Sequence, residues 1–250
     1  MNCSLEGKVA LITGAGRGIG KAITLGLAGA GANIILASRN MPDLERTAQE
    51  ITGLGRKALA VATHVGKLEQ IQHLVQKAVS EFGRIDILVN NAAANPSMAQ
   101  AIDIDETSWD AVMNLNLKGL FFLSQAVARI MKENGGGQII NVTSTAGISP
   151  DLLPAYSISK AAVNMATKVM AQQWAPMKIR VNAIAPGLTR TDFSQALWSS
   201  PDIFVKFNAR TPMGRMAEPD EMVGAVLFLA SDASSYVTGQ ILAIDGGYTI

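Results

Sequence analysis

KVALITGAGRGIG, residues 8–20, reads as a strand, a glycine loop and the opening of a helix. Lys8 to Thr13 is a short apolar run of strand-forming residues, the pattern of a strand buried on both faces of a parallel sheet. It stops at Gly14, and glycines recur at Gly16, Gly18 and Gly20, with Arg17 and Ile19 between them. Ile23, Leu27 and Ala30 then fall at helical spacing, and the pattern ends at Gly31. Glycines let a backbone approach a pyrophosphate, and the helix N-terminus behind them offers free N–H groups and a positive dipole end. The spacing Gly14-x3-Gly18-x-Gly20 differs from the commonest dinucleotide fingerprint, and a tight strand-to-helix turn uses the same residues.

The next strand, Asn33 to Ala37, runs into Ser38 and Arg39. In a dinucleotide-binding unit this strand end lies beside the adenosine ribose, where an acidic residue binds the 2′-hydroxyl of NAD. Ser38 is no acid, and Arg39, helped by Arg17, can pair with a 2′-phosphate. NADP(H) is the expected cofactor; NAD(H) is the alternative, in which Arg39 is a solvated surface charge.

The alternation continues to the end of the chain. Helical patterns cover 44–54, 68–82, 107–132 and 155–174, and another opens at Glu218. Strand patterns cover 57–62, 85–89, 138–142, 178–184 and 240–244, with a looser segment from Leu188 to Met213. His64 reads as a loop residue near the adenine, and His73 as solvated on its helix. Asn116 sits inside a helical pattern, where its side chain competes for backbone hydrogen bonds and so has a local task. The expectation is one α/β domain over 1–250, a Rossmann-like doubly wound parallel sheet of seven strands in the order 3-2-1-4-5-6-7. The cofactor half is expected at about 5–150 and the substrate side at about 144–215.

Composition narrows the function. With 21 basic and 20 acidic residues the formal net charge is +1, so there is no basic field for nucleic acid or an anionic membrane. Cys3 is the one cysteine, which rules out an intrachain disulfide and suits a reducing, cytoplasmic setting. Two histidines and one cysteine make a His/Cys metal site an unpromising reading. No signal peptide, membrane-length apolar run or retention signal is read.

Tyr156 and Lys160 stand four residues apart, one turn along the same helix face. A free phenol has a pKa near ~10, and a nearby ammonium favours the phenolate, so the pair can act as acid or base near neutrality. Between Asp192 and Asp202 lie no charged residues, and Phe193, Leu197 and Trp198 can share one face of a short helix. Two readings stay open for that face: a lid over an apolar carbonyl substrate, or packing into the core or a subunit interface.

The motifs together resemble the short-chain dehydrogenases/reductases: TGAGRGIG at 13–20, NNAA at 90–93, Asn116, Ser144, YxxxK at 156–160 and PG at 186–187. The resemblance runs from about residue 5 to 248. It implies that Tyr156 donates or accepts the proton, Lys160 tunes it and binds the nicotinamide ribose, Ser144 orients the substrate oxygen, and Asn116 holds a relay water. It also implies cofactor contacts at Val65, Asn91, Ala92, Ala93, Pro186, Gly187, Thr189 and Thr191, besides the glycine loop, Ser38, Arg39 and His64. Leu153 joins Ser144, Tyr156, Phe193, Leu197 and Trp198 along the substrate. ASR at 37–39, HVGK at 64–67, NAAANP at 91–96 and PGLTRTDFSQALW at 186–198 look like an NADPH-dependent carbonyl and retinal reductase branch. The sequence departs from the family at Ala93, where glycine is frequent, and at His64, where aspartate is common. The Ser144–Tyr156 interval is one residue short, which leaves Thr143 a second candidate for the hydroxyl. The implied activity is reduction of a ketone or aldehyde, or the reverse, by a homotetramer. An NAD-linked sugar-acid or polyol dehydrogenase, a 3-oxoacyl reductase and a non-catalytic dinucleotide-binding protein are the alternatives.

Overall fold

The computed structural model describes residues 3–95, 97–150 and 152–250. Among them β1 (Val9–Thr13), β2 (Asn33–Ser38), β3 (Ala58–Ala62), β4 (Ile87–Asn90), β5 (Gly137–Val142), β6 (Ile179–Pro186) and β7 (Ile241–Ile244) pair in parallel. Their order is 3-2-1-4-5-6-7, as expected. Parallel neighbours need a crossover, and helices supply most of them. In chain order these are α1 (Gly18–Gly29), α2 (Met41–Gly53), α3 (Leu68–Phe82), α4 (Glu106–Met113), α5 (Leu120–Glu133), α6 (Pro154–Trp174), α7 (Gln195–Trp198), α8 (Pro201–Arg210) and α9 (Val223–Ala230).

The alternation of side chains along β1 shows why its sequence is apolar throughout. Val9 and Leu11 enter a core with Ile71 and Leu74 of α3, Leu123 of α5 and Val163 of α6. Ala10 and Ile12 enter the opposite core, with Ile23 of α1, Leu44 of α2 and Val226 of α9. A strand covered on both faces has no polar side to show.

The expected single helix over 107–132 is interrupted. Between α4 and α5, Asn114–Gly119 forms a π-helical turn. The backbone approaches the loop after β3 so closely there that a Cβ on Gly119 would lie 2.1 Å from the Val65 carbonyl oxygen. The wide turn also carries Asn116 into the interior, 1% exposed. The segment after β6 is more ordered than its composition suggests, since it folds α7 and α8. The helix opening at Glu218 begins as a 3₁₀ turn, Pro219–Met222, with a capping box between Glu218 and Glu221, before α9.

Candidate active site

The carboxyl ends of the strands carry the glycine loop after β1, Ser38–Arg39 after β2, Thr63–Val65 after β3 and Asn91–Ala93 after β4. Thr143–Ser144 follow β5 and Gly187 follows β6. These loops wall one cleft of about 1690 Å³. That exceeds the ~300–1,000 Å³ of an ordinary small-ligand pocket, leaving space for an extended ligand and a second small one. Ligands of open parallel sheets bind at this edge.

The glycine loop is braced from β4. Asn91 Nδ2 donates to the carbonyls of Thr13 and Gly14 at 3.0 and 3.2 Å, while Thr13 Oγ1 accepts from the Asn91 and Ala92 backbones, both at 3.0 Å. Gly14 takes φ +66° and Gly18 φ +53°, and a Cβ on Gly20 would lie 2.1 Å from the Gly14 oxygen, so this turn closes only without side chains. No side chain caps α1 and no acid lies in its first turn, whose residues Gly18, Ile19 and Gly20 border the cleft. A helix end of this kind suits an anion.

Every residue expected at the cofactor lines the cleft, including His64, Val65, Ala93, Pro186, Thr189 and Thr191. Met41 to Asp43 line it too, which sequence reading missed; α2 starts directly at the β2 edge with Asn40 as its cap, a signal present in Asn40-Met41-Pro42-Asp43. Arg39 is exposed on the cleft and has no carboxylate partner among the described residues. Arg17 is not free as expected: its Nη1 lies 3.5 Å from Asp192 Oδ2, joining the glycine loop to the segment after β6.

Tyr156 and Lys160 project from the same face of α6. Lys160 is 2% exposed; its Nζ donates to the Val142 carbonyl at 2.8 Å and lies 5.4 Å from the Tyr156 ring centroid. Burial lowers its pKa to about 8. Tyr156 packs with Ala146 and Leu153, and Ala93 and Leu197 close around it. Ser144 also lines the cleft; its Oγ accepts from the Ala146 backbone at 3.1 Å, and its own proton has no acceptor among the described residues. The Thr143 hydroxyl is committed to the Ile184 carbonyl at 3.0 Å. Asn116 does not line the cleft. Its side chain accepts from the Ala94 N–H at 2.8 Å and donates to the Ala94 carbonyl and Ser159 Oγ at 3.0 and 3.1 Å. The side chain thus ties the 91–95 loop to α6. Pro96, which ends the NAAANP motif, lies outside the described residues.

On the substrate side, Phe193 sits 5.8 Å from Tyr156, ring to ring, and Leu153 and Leu197 join it on the cleft. Trp198 does not line the cleft. Its indole N–H donates to the Thr191 carbonyl at 3.1 Å and its ring lies 5.7 Å from the Arg190 guanidinium, so it packs against its own segment. In its place one face of α8 contributes Asp202, Ile203, Lys206, Phe207 and Arg210. Their i, i+4, i+8 spacing was available in the sequence, one turn beyond the apolar stretch. Among the described residues no group of three or more His, Cys, Asp or Glu could hold a metal ion, and no helix is long and apolar enough to cross a membrane.

The sheet order, the cleft at its carboxyl edge and the glycine loop define a Rossmann-like protein. A family model described as enoyl-(acyl carrier protein) reductase matches residues 14–249. The chain is 42% identical over 247 residues to 2-dehydro-3-deoxy-D-gluconate 5-dehydrogenase of Escherichia coli K12, covering 98% of this chain and 96% of the relative. It is 38% identical over 244 residues to dehydrogenase/reductase SDR family member 4 of Bos taurus, covering 97% and 88%. A solved structure described provisionally as an NAD(P)-dependent gluconate 5-dehydrogenase from Beutenbergia cavernae, with NADP bound at low occupancy, superposes with a TM-score of 0.94 at 37% identity, covering 99% of both chains. The chain belongs to the short-chain dehydrogenase/reductase family of oxidoreductases.

Proposed function

We propose that the chain is an NADP(H)-dependent oxidoreductase that interconverts a ketone or aldehyde and the corresponding alcohol. One observation carries this: Tyr156, Lys160 and Ser144 meet on one cleft with the glycine cradle. The cradle suits a dinucleotide, since it leaves no side chain where a pyrophosphate must approach and ends in an uncapped helix N-terminus. Arg39 suits a 2′-phosphate. The bound nicotinamide supplies the hydride. The chain's own residues manage the charge and the proton. The Ser144 hydroxyl and Tyr156 phenol both donate toward a carbonyl oxygen that gains negative charge, and Tyr156 then gives up its proton. The Lys160 ammonium beside the ring favours the phenolate that remains. Leu153, Phe193 and Leu197 hold the apolar body of the substrate and exclude water.

A second reading, a sugar-acid dehydrogenase, is favoured by the likeness to the Escherichia coli and Beutenbergia cavernae proteins named above. A panel of ketones, aldehydes and oxo acids with NADPH and NADH separates the two. Tyr156→Phe tests the mechanism both share: turnover falls by at least ~100-fold, the scale of general acid–base catalysis, while dinucleotide binding stays. Retention of most activity would refute it.

A further inference from the structure

The α8 wall of the cleft carries a charge arrangement that the carbonyl chemistry does not use. Most arginines of the described chain are paired with a carboxylate, including Arg17 on the cleft itself. Arg210 is not. Its Nη1 donates to the Tyr248 hydroxyl at 3.2 Å and its Nη2 to Ser149 Oγ at 3.1 Å, both neutral acceptors. A guanidinium has five N–H donors, so these contacts leave three of them unspent, and no carboxylate among the described residues pairs with its charge.

The group is also held in place. Its carbon lies 4.4 Å from the Tyr248 ring centroid, and that ring stacks on Phe207 at 4.4 Å and 9°. Tyr248 in turn sits on a turn fixed by Asp245, which accepts from the Gly247 and Thr249 backbones and the Thr249 hydroxyl. One turn before Arg210 on the same helix face, Lys206 also lines the cleft and forms no ion pair among the described residues. Asp202 is the one acid this face adds, and Asp192 is engaged by Arg17. A guanidinium held in this way, with no carboxylate partner among the described residues, is suited to a planar carboxylate that can take two N–H donors at once.

We propose that Arg210, supported by Lys206, is the specificity-determining receptor for a carboxylate on the substrate, so that the preferred substrates are oxo acids and their hydroxy acids. This rests on reading the cleft as a carbonyl-reducing site, and it adds an anionic end to the apolar body held by Leu153, Phe193 and Leu197.

Two measurements test it. Calorimetry with NADP⁺ present compares pentanoate with pentanamide, which differ in charge and not in length and undergo no reaction. NADPH-coupled assays compare oxo acids with their methyl esters as the carbonyl-to-carboxylate distance is increased. The expected result is pentanoate binding at least ~10-fold tighter than pentanamide, and an acid-to-ester ratio of kcat/KM of the same size at one chain length, tenfold being about 1.4 kcal/mol. Arg210→Met should flatten both ratios through KM, Arg210→Lys should restore part of each, and Lys206→Met should lower them less. Equal binding of pentanoate and pentanamide, or ratios that Arg210→Met leaves unchanged, overturns the proposal. Carboxylate-selective binding without reduction of any carbonyl supports the receptor and refutes the oxidoreductase reading instead.

Discussion

Lys160→Met separates what the buried ammonium costs the fold from what it does at the site. Lys160 lies in the interior with its pKa lowered to about 8 from 10.5 by burial. Below pH 8 it is charged in both the folded and unfolded chain, and the folded state bears the full desolvation cost. Between pH 8 and 10.5 the folded chain loses the proton first, so the unfolded chain binds more protons and stability rises with pH. The interval of 2.5 units, 10.5 minus 8, corresponds to roughly 3 kcal/mol at 1.36 kcal/mol per unit. Methionine keeps most of the stem and carries no charge. It also removes the donor to the Val142 carbonyl, which costs ~1–3 kcal/mol at every pH. The variant should therefore match or exceed the wild type at pH 7 and fall below it by pH 10.5. Urea unfolding of both proteins without dinucleotide, at one concentration across this range, measures the difference, and every other titrating group cancels. Two parallel stability curves, differing by less than about 1 kcal/mol in their trend, would refute the burial reasoning.

The remaining predictions concern the cofactor and the assembly. Arg39→Asp should shift the preference from NADPH toward NADH by about 10–100-fold, the value of a charge-assisted contact; a wild type that uses NADH better at equal concentration excludes Arg39 as a phosphate ligand. Arg17 must leave Asp192 to join Arg39, and the pair is well exposed, 67% and 75%, so it is worth only ~0–1 kcal/mol. Asp192→Asn should then lower the KM for NADPH by up to about fivefold and leave that for NADH unmoved; an equal change for both shows that Arg17 does not reach the phosphate. We also propose a homotetramer, supported by exposed Phe122 of α5 and Ile158, Met165 and Val169 of α6. Light scattering should give four times the chain mass, and Met165→Asp should reduce it; a wild-type monomer at micromolar concentration contradicts the assembly.

The fold was legible because its signals are local. Each strand of the central sheet is a short β-rich run bounded by glycine or polar residues, and each crossover helix repeats its apolar residues at helical spacing. Right-handed crossovers limit the orders these units can take, and the glycine loop after the first strand points to the doubly wound order 3-2-1-4-5-6-7. The glycine loop was equally readable, because left-handed backbone at Gly14 and Gly18 and a contact that excludes a Cβ at Gly20 favour glycine there. Tyr156 and Lys160 were readable as a pair because one helical turn joins them.

Other features depend on segments far apart in the chain, and only the tertiary structure decided them. The π turn at 114–119 arises where Gly119 meets Val65 and Asn116 meets Ala94. The Gly119 contact leaves no mark in the helical pattern; Asn116 stood out within it, and its partner did not. Arg17 finds Asp192, 175 positions away. Trp198 looked like a lid residue from its spacing, yet its N–H and ring are engaged by Thr191 and Arg190 of its own segment. The sequence alone determined which residue types stand at the strand ends. How deeply Lys160 is buried, and that Arg210 lines the cleft with no carboxylate partner among the described residues, followed from packing, because desolvation and charge pairing are properties of neighbours in space.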